Sequence, residues 1–235
     1  MEAENTVQPT PVIDNTVSIV FILDSSGSMQ SLGTEPVHSM RSFYNTQKET
    51  GKEFLSTFIT FNNIVNFVHK NIKGNDIDIK DEDFVPDGMT ALYDAIGTGI
   101  DYQKNIKTDN VIFVILTDGL ENSSRIYKAS DIKKMTKQME SEYKWVFMYL
   151  GANQDSFAVS ESLGINPRHS ANYEYNTEGF SSLMRGVSAT VSRAVSHDIR
   201  VENFVPEITS VPSLNITVHD SILLQPPTLT RTYSS

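Results

Sequence analysis

The sequence predicts an α/β fold: a doubly wound, Rossmann-like three-layer sandwich around a mostly parallel six-stranded sheet with one antiparallel edge strand, plus a C-terminal extension. Three observations carry this expectation. The apolar runs at residues 17–23 and 111–116 are rich in β-branched and aromatic residues, as strands covered on both faces are. Stretches of helical periodicity separate the strand-like runs, which is what parallel strands joined by crossover helices require. Both apolar runs also end in an aspartate, Asp24 and Asp118, at the carboxyl ends of strands, where open α/β sheets bind their ligands.

The elements follow in order. Residues 1–15 are polar, contain Pro9 and Pro11, and read as a flexible lead-in to a domain expected over residues 16–197. After the first strand, residues 35–48 carry Val37, Met40, Phe43 and Tyr44 at helical spacing and stop near Gly51, predicting a helix. Residues 53–61 read as a strand. Asn62-Asn63 reads as a two-residue hairpin turn into the antiparallel edge strand, residues 64–68. Residues 73–83 are polar and acidic and read as loop. Asp87-Gly88 is a turn ahead of a helix over residues 90–103, marked by Leu92, Ala95, Ile96 and Ile100. The second buried strand, residues 111–116, leads into Thr117-Asp118-Gly119. Ser130 is placed to cap a helix over residues 131–142, and residues 145–150 form a further strand. A helix over residues 154–163 ends at Gly164, and residues 171–175 form a short last strand. Phe180, Leu183, Met184, Val187, Val191 and Val195 then mark one long amphipathic helix over residues 177–195. Residues 198–235 turn to Pro, Ser, Thr and β-branched residues, and are either a β-rich extension or a flexible tail. Alternation at residues 214–218 and 222–224 favours strands there, with His219-Asp220 at a turn.

Composition narrows function. Nineteen Lys and Arg against 29 Asp and Glu give a formal charge of -10, which speaks against nucleic acid and anionic membrane as partners. With 0 Cys there is no disulfide framework, thiol nucleophile or cysteine-based metal site. The start, Met1-Glu2-Ala3-Glu4-Asn5, has no apolar signal core, and no apolar run approaches the roughly 20 residues that span a bilayer. The expectation is a soluble protein in the cytoplasm or another intracellular compartment. His38, His69, His169, His197 and His219 are scattered without metal spacing and read as surface or loop residues. Tyr143, Trp145 and Tyr149 read as core aromatics of a strand rather than a recognition surface.

Asp24, Ser26 and Ser28 alternate along the loop after the first strand, and Gly27 permits the close backbone approach that lets their oxygens converge. Such donors suit a hard divalent cation, Mg²⁺ above all. Thr90 opens a helix just after Gly88, and Asp118 closes the second buried strand. Ser25 reads as a bystander, and Glu121 and Asn122 as solvated loop residues.

Together, Asp-x-Ser-x-Ser at residues 24–28, the threonine in Gly88-Met89-Thr90-Ala91-Leu92 and the aspartate in Thr117-Asp118-Gly119 resemble the von Willebrand factor A domain family. That family carries a metal-ion-dependent adhesion site built from three such loops, and the resemblance spans residues 17–196. It implies a sheet order of 3-2-1-4-5-6, with the topological switch point between the first and fourth strands. It further implies a Mg²⁺ (or Mn²⁺, with Ca²⁺ possible) held by Asp24, Ser26, Ser28, Thr90 and Asp118. The serines and the threonine would contact it directly, the aspartates directly or through water. Gly27, Gly88 and Gly119 would shape the loops, and Asp94, one helical turn beyond Thr90, is a candidate for supporting them. One vertex is left for the Asp or Glu of a partner protein. Two acidic ligands predict modest affinity for the bare ion, raised when the partner's carboxylate completes the shell. In adhesion members of the family a shift of the last helix couples to this change.

On this reading the chain is a protein-binding module and not an enzyme. Alternatives are an adaptor or scaffold working with a separate ATPase, and a Mg²⁺-dependent phosphohydrolase of the haloacid dehalogenase type. The latter needs a second aspartate where this chain has Ser26, and no Gly-x-x-x-x-Gly-Lys phosphate loop occurs.

Overall fold

The computed structural model describes residues 16–106 and 108–196. The expectations for the lead-in, residues 1–15, and for the extension, residues 198–235, lie outside them. Its strands are β1 (Val17–Asp24), β2 (Phe54–Phe61), β3 (Val65–Lys73), β4 (Asn110–Thr117), β5 (Val146–Gly151) and β6 (Ser170–Asn172). Helices α1 (Glu35–Glu49), α2 (Leu92–Lys104), α3 (Ala129–Glu142), α4 (Ser156–Ser162) and α5 (Thr177–Ser196) connect and close them. The sheet runs β3-β2-β1-β4-β5-β6, parallel throughout except for β3, so the expected order and the antiparallel edge are both present.

Side-chain alternation sorts the chain into two cores. Ile19, Phe21 and Leu23 of β1, with Ile112, Val114 and Leu116 of β4, meet α1 and α5 on one face. Val20 and Ile22, with Val111, Phe113 and Ile115, meet α2 and α3 on the other. This two-sided burial is why these strands read as unbroken apolar runs. The last helix is pinned to the first by a buried polar clasp. Gln47 Nε2 donates to the Ser188 carbonyl at 3.3 Å and to Ser188 Oγ at 3.2 Å, and Ser192 Oγ donates to Gln47 Oε1 at 3.0 Å. Tyr149 and Trp145 are core residues as expected, whereas Tyr143 is exposed.

Six local expectations need correction. The β2–β3 connection spans three residues, because the Asn62 side chain accepts from Ile64 N at 3.0 Å and closes its own turn before Val65 pairs with Phe61. Strand β3 then runs on to Lys73 rather than stopping at residue 68, with a register shift opposite Phe58 that bends the edge. The acidic stretch that follows is irregular yet packed: Ile77, Ile79 and Phe84 are buried, and Arg41 and Lys48 of α1 donate to the carbonyls of Ile79 and Ile77 at 2.8 and 2.9 Å. Ser130 lies inside α3 and does not cap it. The helix starts one residue before it, and the Asp131 carboxylate reaches back to accept from Lys128 N at 3.0 Å. Strand β6 covers only three residues, fewer than expected, and α2 begins at Leu92 rather than at Thr90.

Candidate metal centre

Strands β1 and β4 are neighbours whose onward connections depart in opposite directions, which leaves a crevice at their carboxyl ends. Asp24 and Asp118 stand at that crevice. Both are buried, as are Ser26 and Thr90, while Ser28 faces solvent. The Asp24 carboxylate accepts from Ser26 N at 2.7 Å through Oδ1 and from Thr117 Oγ1 at 2.5 Å through Oδ2. Ser26 Oγ and Ser28 Oγ are 3.0 Å apart, and Ser28 Oγ donates to Asp118 Oδ1 at 2.7 Å. A Cβ placed on Gly119 would lie 3.5 Å from Thr90 Oγ1 and 3.9 Å from Ser28 Oγ, so the second loop's hydroxyl stands with the first loop's. The structure therefore brings together all five residues singled out in the sequence.

Main-chain bonds join the three loops. Asp87 N donates to the Ser25 carbonyl at 3.0 Å, Gly27 N to the Gly88 carbonyl at 3.0 Å, and Asn122 N to the Thr90 carbonyl at 3.0 Å. Gly88 sits at φ 72°, a left-handed conformation in which a side chain would collide with Asn63 Oδ1. Gly27 allows the close approach of the first two loops, since a Cβ there would lie 3.3 Å from the Gly88 carbonyl. Ser25 turns away, its hydroxyl donating to the Phe61 carbonyl at 3.0 Å, as a bystander would.

Asp94 does not face the ligand cluster. Its buried carboxylate accepts from the backbone N–H groups of Arg125, Ile126 and Tyr127 at 2.8, 2.9 and 2.9 Å, and so holds the far end of the third loop. Glu121 and Asn122, read as solvated, are loop anchors instead. Asn122 Oδ1 accepts from Thr90 N at 2.8 Å, and Glu121 accepts from Tyr93 N at 3.0 Å and from Ser123 N and Ser124 N at 2.8 and 2.6 Å. These roles join residues about thirty positions apart, which no local pattern announces. Three further participants went unnoticed in the sequence. Thr117 ties the two aspartate strands together. Tyr175 OH donates to the Ser28 carbonyl and accepts from Ser31 Oγ at 2.9 Å, so it bridges the last loop and the first. The buried Tyr173 hydroxyl has no hydrogen-bond partner among the described residues and lies close enough to Asp118 and Asp24 to feel their charge.

The electrostatics are those of a site short of positive charge. Burial pushes Asp24 from its ordinary 3.8 up to about 6, against hydrogen bonds from Thr117 and Ser26 and with added repulsion from Asp118. Asp118 is likewise raised by burial, opposed by the hydrogen bond from Ser28. Among the described residues, no Lys, Arg or His contributes to either shift. Asp118 Oδ2 is buried and has no hydrogen-bond partner among the described residues. The donor set, two carboxylates and three hydroxyls, is all oxygen, and it fits a hard divalent cation better than a soft or imidazole-seeking one. It contains only two acids, and among the described residues no group of three or more His, Cys, Asp or Glu side chains is arranged to hold a metal.

No protein-family model matches the sequence, and no curated protein matches it. Solved structures do. The chain is similar to a von Willebrand factor type A structure from Catenulispora acidiphila (12% identity, TM-score 0.56, covering 75% of this chain and 43% of that one). It is also similar to the vWF domain of the type V pili tip protein Mfa5 from Porphyromonas gingivalis (8% identity, TM-score 0.56, 77% and 96%). A third match is proximal thread matrix protein 1 from the mussel byssus (16% identity, TM-score 0.53, 77% and 47%). The chain thus spans less than half the length of the mussel and Catenulispora structures. At these identities the likeness is one of architecture, and together with the sheet order it shows that this chain has a von Willebrand factor A-like fold.

Proposed function

We propose that this chain is a protein-interaction module that captures an Asp or Glu side chain of a partner through a divalent cation, Mg²⁺ or Mn²⁺, held by Asp24, Ser26, Ser28, Thr90 and Asp118. The observation that carries this reading is the buried Asp118 Oδ2, without a hydrogen-bond partner among the described residues, beside three converging hydroxyls, where no described Lys, Arg or His contributes to the shift of either acid. A bound cation would supply a Lewis-acidic centre whose charge two carboxylates just balance, and a coordination position not filled by the five side chains could take a further oxygen ligand. The chain's own part is to hold Asp24 through Thr117 and Ser26, to aim Ser28 through Asp118, and to present Ser28 at the solvent face. Similar structures include a pili tip protein and a byssal thread matrix protein, which is in keeping with an interaction role. We read no catalytic step into the site, because Ser26 occupies the place where a phosphotransferase would need its second acid.

The test is calorimetric titration of Mg²⁺ and of Mn²⁺ into the full chain and into Asp118→Ala, with a generic phosphoester assay alongside. Binding with a dissociation constant from about micromolar to millimolar is expected for the wild type, and loss of about a hundredfold or more for the variant. Equal binding by both proteins would remove the site, and phosphoester turnover lost in Asp24→Asn would replace the binding module with an enzyme.

Tyr175 connects this site to the last helix. It precedes the first residue of α5 by two positions while its hydroxyl bonds to the Ser28 carbonyl, so displacement at the start of α5 reaches the first ligand loop. Tyr175→Phe is expected to weaken cation binding by about fivefold, the worth of one hydrogen bond, while thermal stability changes little. An unchanged dissociation constant would disconnect α5 from the site.

A further inference from the structure

The carboxyl ends of β4, β5 and β6 form one row. Thr117 pairs with Gly151 and Gly151 with Asn172, and the ladder continues one step further, with Ala152 N donating to the Thr117 carbonyl at 3.1 Å and Tyr173 N to the Gly151 carbonyl at 3.0 Å. Asp118, Ala152 and Tyr173 therefore stand level, each one residue beyond its strand. Two strand spacings, about 10 Å, separate Asp118 from Tyr173 at the backbone. The residue between them is Ala152, which shares with Tyr173 the core beneath α1 and α5 and takes little of the room over the end of β5 that a tyrosine needs to reach toward β4.

Tyr173 is firmly held, and its hydroxyl is idle. The residue is 5% exposed, and its ring meets Phe180 of α5 edge-on with centroids 5.8 Å apart. The hydroxyl finds no hydrogen-bond partner among the described residues, although two neighbouring tyrosines are engaged: Tyr175 OH donates to the Ser28 carbonyl, and Tyr149 OH donates to Gln154 Oε1 at 3.3 Å. A buried hydroxyl left unpaired costs the fold stability and calls for a role. Burial pushes this phenol well above its ordinary 10, and the charges of Asp118 and Asp24 push it further, so it is a proton donor throughout the neutral range. Asp118 Oδ2 is buried without a partner among the described residues as well. An unused donor and an unused acceptor thus share one end of the sheet.

From this pairing we infer that Tyr173 is a positioning residue of the cation site, whose hydroxyl donates to the Asp118 carboxylate when a divalent cation is bound and fixes the direction in which that carboxylate serves the ion. The inference rests on the metal-bridged reading above and adds a residue from outside the three ligand loops. Carboxylates that serve a metal are themselves hydrogen-bonded, and their donors orient them. Ser28 already serves Asp118 Oδ1 at 2.7 Å, but it is exposed and belongs to the ligand set itself. Tyr173 is buried and locked against α5, which makes it the more rigid support. The two orphan groups do not bond to one another in this structure, so the bond belongs to a rearranged Asp118 and its benefit appears only with the ion.

The test compares the full chain with Tyr173→Phe, using Tyr149→Phe and Asp118→Ala as references, by thermal unfolding in EDTA and in saturating Mn²⁺ and by calorimetric Mn²⁺ titration. In EDTA, Tyr173→Phe should melt about 2–4 °C above the wild type, because a hydroxyl without a partner leaves the core. Its dissociation constant for Mn²⁺ should rise about tenfold, so that the gain in melting temperature vanishes or reverses once Mn²⁺ is present. A role in packing alone would not depend on the ion. Near-ultraviolet difference absorption on adding Mg²⁺ gives a direct signature: the tyrosine band shift that reports a newly donated phenolic bond should appear in the wild type and be missing from Tyr173→Phe. Tyr149→Phe, whose lost hydroxyl served Gln154, should keep the wild-type affinity for Mn²⁺. Wild-type affinity in Tyr173→Phe, melting below the wild type in EDTA, or an equal loss in Tyr149→Phe would each overturn the inference, while the metal-bridged reading would still stand if Asp118→Ala alone abolished binding. A wild type that binds no Mn²⁺ would overturn both.

Discussion

Asp24→Asn should give a protein more stable than the wild type in EDTA at pH 7.5 and unable to bind a divalent cation. An amide at this position can keep both hydrogen bonds: its oxygen accepts from Ser26 N, and its nitrogen donates to Thr117 Oγ1, whose own proton already has the Gly119 carbonyl within reach at 3.1 Å. What disappears is a buried charge. The rise of the Asp24 pKa from 3.8 to about 6 corresponds to about 3 kcal/mol held against the ionised form, an upper bound from which a gain of about 1–2 kcal/mol is expected. The direction with pH follows from the same shift. Between about pH 4 and 6 the folded wild type binds more protons at Asp24 than the unfolded chain does, so its stability falls as pH rises through that window. Asp24→Asn should lack that fall. Glu140 on α3, pushed up to about 7 by burial, and Asp118, also raised by burial, add declines present in both proteins, so the difference between them reports Asp24 together with its repulsion from Asp118. Urea unfolding at pH 4.5 and pH 7.5 in EDTA measures it. A variant less stable at pH 7.5, or one with the wild-type pH dependence, would contradict the account.

Asp94→Ala carries the second large effect, and it acts through the backbone rather than through the ion. Three consecutive amides, those of Arg125, Ile126 and Tyr127, lose a buried carboxylate acceptor, while the backbone bond from residue 94 to Ser124 Oγ remains. Charge-assisted bonds of this kind are worth about 1.5–3 kcal/mol singly, and three that share one carboxylate are expected to cost about 3 kcal/mol together. The urea midpoint should fall with the denaturant slope unchanged, and amide exchange at residues 125–127 should rise selectively. Asp94→Asn, which keeps one acceptor oxygen, should cost about half as much. A loss below about 0.5 kcal/mol would show that the Glu121 anchor holds the loop alone.

How much was legible in the sequence depended on whether the cause was local. Strands β1 and β4 announced themselves because both of their faces are covered, and Asp24, Ser26, Ser28, Thr90 and Asp118 because they lie in short motifs where a strand gives way to a loop or a loop leads into a helix. The α5 stripe was equally visible, since its apolar residues line one face of an uninterrupted helix. Where a side chain acts on a distant segment, the pattern was silent. Asp94, Glu121 and Asn122 serve amides about thirty residues away, and Tyr175 reaches back 147 positions to Ser28. Turn chemistry also escaped where a side chain supplied the closing bond, as Asn62 does in the hairpin and Asp131 at the start of α3. Strand β6 was drawn too long because an edge of three residues leaves little periodicity to read.

Several bonds that close the three ligand loops run from backbone amide to backbone carbonyl: Asp87 to Ser25, Gly27 to Gly88, Ala91 to Asn62 and Asn122 to Thr90. Such bonds place few demands on the side chains they join. The outline of the crevice and the chemistry within it are therefore written in different parts of the sequence, and either can drift through descent while the other persists. The fold is shared with structures only 8 to 16% identical to this chain, as an outline held by main-chain bonds allows.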